Sequence, residues 1–411
     1  MTLFSALQKE LDHLREQNLY RTCQTVEEVR GGRIRVDGRW LIHMASNSYL
    51  GLHLHPRVVA AAKKACDEFG AGSGSARLIG GTLSLHARLE EKLAAFKQAE
   101  SALVFSTGYM ANLGIITALV GPGDLVIGDH LNHASLVDAC RLSRASFRVY
   151  PHLDAQRLEE ALKRRTGRYR RVLVVTEGVF SMDGDIAPLP EIAGIVRRHG
   201  AWLLVDDAHG TGVLGAAGRG ALEHFGISTE GILQMGTLSK ALGSLGGFVA
   251  GPKVVIDYLK NRARSFIYTT ASSPASLAAA LEALAILEQE PFRRENLFKN
   301  LRQWRSGLRE AGYRLVSAES QIVPVWTGDN SGTMRMAHLL LEAGVYAPGI
   351  RPPTVPYGAC RIRTSLTALH EEADIKVALD IFKKLSKDET IRGYLDKTST
   401  ADSQNVWLPH T

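Results

Sequence analysis

Between residues 100 and 290 the chain alternates short, mostly apolar runs with longer segments in which apolar positions recur every three to four residues. Runs at 102–105, 125–128, 147–150, 172–175, 202–205, 232–235 and 247–250 are strand length and each predicts a strand. The segments 87–97, 111–120, 134–142 and 189–198 carry helical spacing. Strand and helix in alternation predict a mostly parallel sheet with helices on both faces, an α/β fold. This region spans 51–289. Before it, residues 1–50 read as a charged helix followed by a hairpin at 32–42, whose Asp37-Gly38 pair is a strong turn signal. After it, 290–387 reads as helix, strand, strand, helix, strand, strand, helix, a smaller C-terminal α/β domain. The remainder, 388–411, is polar and predicts a loose tail.

Composition narrows the classes. At 411 residues and 45% hydrophobic the chain can bury a sizeable core. The stretch 101–123 is uncharged and long enough to raise a membrane span, but Ser106, Thr107, Asn112 and its glycines fit a strand, a turn and a buried helix better. The first 17 residues lack the apolar core of a secretion signal. Cys23, Cys66, Cys140 and Cys360 are scattered, which predicts reduced thiols in a cytoplasmic protein and no metal site. Forty-nine basic against 42 acidic residues give +7, a balance that suits acidic ligands. The densest basic cluster, 163–171, reads first as a solvated helix end and second as a docking patch for coenzyme A phosphates or an acidic carrier protein. With one tyrosine and no nucleic-acid module around it, nucleic acid is not the expected partner.

Three segments carry chemistry. Lys240 lies in GTLSKALGSLGGF, 236–248, where glycines allow the backbone to bend closely around a flat ligand. Strand 203–205 ends in Asp206, Asp207 and His209 before a glycine turn, where parallel sheets place ligand groups. The segment 106–112 joins a strand to a helix through small residues, so its N–H groups and the helix dipole can face an anion. A lysine, a carboxylate for a ring nitrogen and a phosphate cradle are what pyridoxal 5′-phosphate requires of a protein.

With TEGVFSMDGD (176–185), VDDAHGTGVLG (205–215) and IRPPTVPYG (350–358), the chain resembles the α-oxoamine synthases over about residues 21–370. These are pyridoxal-phosphate enzymes of the aspartate aminotransferase fold (fold type I). The resemblance implies one antiparallel strand in the large sheet, a homodimer, and decarboxylative condensation of an amino acid with an acyl thioester. IRPPTVP is similar to members that join L-alanine to a pimeloyl group, carried by coenzyme A or by acyl carrier protein, in biotin biosynthesis. Members using glycine with a short acyl-CoA share the same cofactor apparatus. A non-catalytic partner subunit is the third reading, and the presence of Lys240, Asp206 and His133 speaks against it.

The resemblance also implies roles. Lys240 would bond the cofactor and later take the α-proton. Asp206 would face the pyridine nitrogen, the choice over Asp207 resting on the resemblance. His133 would stack on the ring and contact substrate, and His209 would reach the phenolic oxygen. Ser181 and Thr237 would offer hydroxyls, and Gly108 and Tyr109 backbone N–H groups to the phosphate. Thr269 or Thr270 would reach the phosphate of a neighbouring subunit. Arg21, Thr354 and Arg363 match substrate positions, Arg363 gripping the amino acid carboxylate with Arg351 and Arg361 as rivals. Asn47 and Arg77 match motif positions near the site.

Overall fold

A computed structural model of the chain describes residues 3–164, 167–317, 319–389 and 391. It divides into two compact units, the larger made of Leu50–Ser181 and Asp185–Arg294. Its centre is a seven-stranded sheet in the spatial order Ser101–Phe105, Gly247–Gly251, Ile232–Thr237, Trp202–Asp206, Val172–Glu177, Leu125–Asp129, Ser146–Tyr150. All neighbours are parallel except Gly247–Gly251, which runs antiparallel to both of its own. The inner strands are buried along their whole length, except that Trp202, the first residue of the central one, is exposed. One core cluster joins Leu103, Val175, Leu204, Met235 and Val249 of the sheet to Ile115, Ile116 and Leu136 of helices Gly108–Leu119 and Ala134–Leu142. Each such side chain stabilises by about 1.5–3 kcal/mol on burial. The outermost strand Ser146–Tyr150 is mostly exposed and carries Arg148, a charge that discourages further pairing at the edge.

The apolar runs stop at one edge of this sheet. Asp129, Glu177, Asp206 and Thr237 end four neighbouring parallel strands, so polar chemistry collects at their C-terminal ends. At the opposite end Arg170 pairs with buried Asp124 at 3.0 Å, while Arg171 donates to the Leu119 carbonyl and lies over the Trp202 ring. Lys163 pairs with Glu159. These basic side chains are therefore engaged within the unit. Residues 165 and 166 of the same cluster lie outside the described residues.

The smaller unit comprises residues up to Tyr49, Met182–Gly184, and those from Glu295 onward. Strands Arg33–Val36 and Arg39–His43 form the expected hairpin, with Asp37 and Gly38 at φ 48° and 72°, the left-handed pair that matches strand twist. Glu28–Arg30 and Val345–Tyr346 extend that sheet. A second sheet orders Ile322–Gly328, Cys360–Ser365 and Gly349–Ile350. Trp304, fully buried, meets Phe382 edge-on and donates to Thr364 Oγ1 at 2.9 Å. The strand pair expected after residue 310 is a single strand, Ile322–Gly328, with one bridge from Leu315 to Val325. Val316 donates to the Pro324 carbonyl, but Pro324 has no N–H to return the bond, so the ladder stops. Between helices Asn330–Glu342 and Glu372–Leu385 stand three short strands where two were expected.

Of the tail at 388–411, only 388, 389 and 391 are described. No helix among the described residues is long and apolar enough to cross a membrane, and 101–123 contains a strand and a buried helix. No group of metal-ligating side chains is assembled among the described residues.

Candidate active site

A cavity of about 270 Å³ opens at the C-terminal ends of the parallel strands of the larger unit. Its wall includes Lys240, Asp206, His133, His209, Thr237, Gly108 and Tyr109, seven of the residues expected at the site. The lysine sits in a turn drawn tight by bonds from Leu238 N–H to the Gly246 carbonyl and from Ser244 N–H to the Leu238 carbonyl. Gly243 holds φ at 61°, and a Cβ there would stand 2.3 Å from the backbone nitrogen of His53. Only glycine fits that position. The Thr237 hydroxyl is bonded to the Gly246 carbonyl at 2.9 Å and to Ser239 Oγ at 2.7 Å, so it also ties the lysine turn together.

Asp206 and Asp207 face different surroundings. Asp206 is 5% exposed and lines the cavity. Asn112 Nδ2 donates to its Oδ2 at 2.7 Å and the Ala208 N–H to its Oδ1 at 3.1 Å. Among the described residues it forms no ion pair, so a buried carboxylate is presented to the cavity for a cationic N–H from a ligand. Asp207 points away from the cavity. Its carboxylate pairs with Lys97 at 2.8 Å, both side chains being buried, and accepts the Ala221 N–H. Lys97 was not singled out in the sequence, because nothing local marks a helix-end lysine as the partner of a residue 110 positions away.

A second network joins His133 to Asp206. Asn112 Nδ2 also donates to Ser135 Oγ, which is 2.8 Å from His133 Nδ1, and that nitrogen accepts the Ser135 N–H. The His133 N–H donates to Glu177 Oε1 at 2.6 Å. Burial lowers the pKa of His133, favouring the neutral ring, although Asp206 nearby acts the other way. Burial, reinforced by the charge of Asp206, raises the pKa of Glu177 well above the usual carboxylate range. Glu177, Ser135, Asn112 and Ser239 line the cavity and were missed from the sequence. TEGVFSMDGD contains Glu177, but its position on the final strand residue, not its spacing, is what places it in the wall.

The opposite wall is the start of helix Gly108–Leu119, capped by Thr107 Oγ1, which accepts the Met110 N–H at 3.1 Å. The N–H groups of Gly108 and Tyr109 belong to the first turn, which a helix leaves without intrahelical acceptors. A Cβ at Gly247 would stand 2.5 Å from the Thr107 carbonyl oxygen and 2.7 Å from the Gly108 nitrogen. That glycine lets the antiparallel strand pass directly beneath the cradle. Anion cradle, oriented buried carboxylate and lysine thus share one cavity, and these donors match the phosphate, ring nitrogen and aldehyde of pyridoxal phosphate.

Ser181 is not part of this wall. In the smaller unit, Arg361 is 1% exposed and committed to Asp183 at 2.6 Å, which removes it as a rival for the carboxylate grip. Arg363 donates instead to neutral Asn47 Oδ1 at 3.3 Å. Arg351 donates to the Tyr20 carbonyl and Arg21 to the Pro352 carbonyl, at 2.6 and 2.9 Å. Burial, and then the charge of Arg21, lowers the pKa of Arg351. Thr354, exposed, donates its N–H to the Arg351 carbonyl. Arg77, expected near the site, is buried and bonded to both oxygens of Glu90, so its charge is used internally.

Comparison with known proteins places this geometry. The profile of the family "Aminotransferase class I and II" matches residues 40–382. The 8-amino-7-oxononanoate synthase of Geobacter sulfurreducens is 50% identical over 381 residues, 92% of this chain and 97% of that protein. Among solved structures, a variant of the serine palmitoyltransferase of S. paucimobilis with a bound PLP–myriocin aldimine superposes with a TM-score of 0.89 at 34% identity, covering 94% of this chain and 98% of the other. The 8-amino-7-oxononanoate synthase of Francisella tularensis superposes with a TM-score of 0.73 at 31% identity, over 84% and 97%. The match along most of its length, with a cavity that suits the cofactor held in the serine palmitoyltransferase structure, shows that this chain belongs to the aminotransferase class I and II family, within its α-oxoamine synthase branch.

Proposed function

We propose that the chain condenses L-alanine with a pimeloyl thioester to give 8-amino-7-oxononanoate, carbon dioxide and free thiol, as a step of biotin biosynthesis. The observation that carries the reading is a buried carboxylate, Asp206, without an ion-pair partner among the described residues and in the same cavity as Lys240. Relatives of this length and identity bearing the synthase name support it. Pyridoxal phosphate supplies an electron sink when bound. Lys240 Nζ would hold its aldehyde carbon and, once displaced by alanine, move the proton from and to Cα. Asp206, held by Asn112, would keep a proton at the ring nitrogen. Neutral His133 would cover the ring, His209 would reach its phenolic oxygen, and Gly108, Tyr109 and Thr237 would bind the phosphate end. A Cα–carbonyl carbon bond forms, the thioester C–S bond breaks, and the alanine carboxylate leaves as carbon dioxide.

Arg363 is our proposed grip for the alanine carboxylate, with Thr354 and His133 near the substrates and Ser181 offering its hydroxyl to the cofactor. Arg21 donates to the Pro352 carbonyl and Arg351 to the Tyr20 carbonyl, so their two segments adjoin, and neither guanidinium is in an ion pair among the described residues. Such a pair of guanidiniums suits the far carboxylate of a pimeloyl group. Both Arg21→Ala and Arg351→Ala should raise KM for the pimeloyl thioester roughly 10- to 100-fold, the worth of one charged hydrogen bond, with KM for alanine little changed. The assembly would be a cytoplasmic homodimer in which Thr269 or Thr270 reaches the partner's phosphate, with coenzyme A or carrier protein as the donor thiol.

The test of function is substrate choice. L-Alanine with pimeloyl-CoA or pimeloyl-acyl carrier protein should give a higher kcat/KM than glycine with acetyl- or succinyl-CoA. Glycine should still react slowly, because one methyl group discriminates by only about 10- to 200-fold. A preference for glycine with a short acyl-CoA would overturn the biotin assignment and leave the cofactor site standing.

A further inference from the structure

Outside the cavity wall the larger unit holds a second cluster of titratable groups. His152 Nδ1 lies 2.9 Å from Asp129 Oδ1 and its Nε2 lies 2.9 Å from Asp185 Oδ2. Ionised carboxylates only accept, so an imidazole between two of them must donate from both nitrogens, which only imidazolium can do. The Phe180 ring packs against the imidazole edge-on, its centroid 4.5 Å away. Although burial alone would lower it, the bonds to Asp129 and Asp185 raise the pKa of His152 from 6.5 to about 10. Two further titratable groups face Asp129: Tyr150, whose phenol burial keeps protonated, and Glu177, whose pKa is raised by burial and by the charges of Asp206 and Asp129.

The Asp129 carboxylate anchors a turn that serves the site. Asp129 accepts the N–H of Leu131 and of Leu153, and its carbonyl accepts the Asn132 N–H. Those bonds shape residues 129–133, which end in the cavity residue His133. Leu153 holds φ at 59°, a left-handed backbone that an L-residue adopts unfavourably, and its N–H is bonded to Asp129 Oδ2. Asp185 closes the 179–186 loop, accepting the Phe180 N–H on its carbonyl beside the Val179–Ile186 bridge. Ser181 lies in the same loop.

We propose that His152 is a positioning residue of the reaction: bridging Asp129 and Asp185 as an imidazolium, it fixes the 129–133 turn and thereby presents His133 to the cavity. It acts through His133 and touches no substrate. The inference rests on the proposed reading of the cavity. Loss of the bridge should move His133 by a fraction of an ångström to an ångström, a displacement that lowers rates about 10- to 100-fold.

The experiment compares wild-type holoenzyme with His152→Gln and Asp185→Asn, each loaded with pyridoxal phosphate. Three quantities are read: the visible absorption band of the bound cofactor, kcat and KM with L-alanine and pimeloyl-CoA, and melting temperature from pH 6 to 10. Both variants should show a displaced band and kcat lowered roughly 10- to 100-fold, with KM for pimeloyl-CoA within about 2-fold of wild type. The folded-state pKa is raised, so the stabilisation is complete below 6.5 and disappears as pH climbs through about 10. The melting-temperature gap between wild type and His152→Gln should therefore be widest near pH 6 and narrow towards pH 10. A wild-type band and kcat in both variants, with a gap that does not change with pH, would overturn the proposal. Should His152→Gln fail to fold, Asp185→Asn decides alone. Absence of wild-type turnover with these substrates would instead strike the proposed function, while the absorption band still reports on the bridge.

Discussion

Lys240→Ala should leave no measurable steady-state turnover while the protein still folds. General acid–base transfer by one positioned side chain is worth about 10²- to 10⁴-fold, and this variant also loses the covalent hold on the cofactor. The turn itself should survive, because its shape depends on Gly243, Gly246 and the Leu238 and Ser244 backbone bonds, not on the lysine side chain. Circular dichroism and thermal melting should match wild type. Wild-type holoenzyme should be yellow with a band that borohydride bleaches irreversibly, and the variant should lack that response. Turnover by purified Lys240→Ala, without an added amine, would remove the lysine from the chemistry.

The two neighbouring aspartates should separate catalysis from stability. Asp206→Asn should lower kcat about 10²- to 10³-fold, the usual loss when one preorganised electrostatic group is removed, with only a small change in unfolding free energy. Asp207→Asn should do the reverse. It strips the counter-charge from Lys97, whose ammonium is fully buried, and an uncompensated buried charge costs about 3–5 kcal/mol. Urea unfolding and steady-state kinetics on the two variants read both quantities. If Asp207→Asn proved the slower catalyst and Asp206→Asn the less stable protein, the assignment of the carboxylates would be inverted.

Alternation of apolar runs and helical spacing made the large sheet legible, because secondary structure in a buried parallel sheet is written in local periodicity. The antiparallel course of Gly247–Gly251 came from family resemblance, since strand direction leaves no mark on a five-residue run. Lys240, His209 and the 106–112 cradle were also visible, as each lies in a short motif at the end of a strand, whereas His133 came from the family resemblance. In the smaller unit one strand was overcounted, because a lone proline, Pro324, limits a ladder without changing the apolar pattern around it.

The amino-acid sequence by itself determined the strand and helix candidates, the lysine turn and the residues that can hold a phosphate, since these depend on neighbours a few positions apart. Only tertiary structure decided which of two adjacent aspartates faces the cavity, that Arg361 is spent on Asp183 while Arg363 meets Asn47, and that Asp129, His152 and Asp185 form one bridge. In each case the answer is set by which polar partner, charged or neutral, a buried group meets. Partners such as Lys97 and Asp207 are brought together by burial of the segments between them, and the cost of leaving a charge alone in that interior selects the pairing that no local pattern encodes.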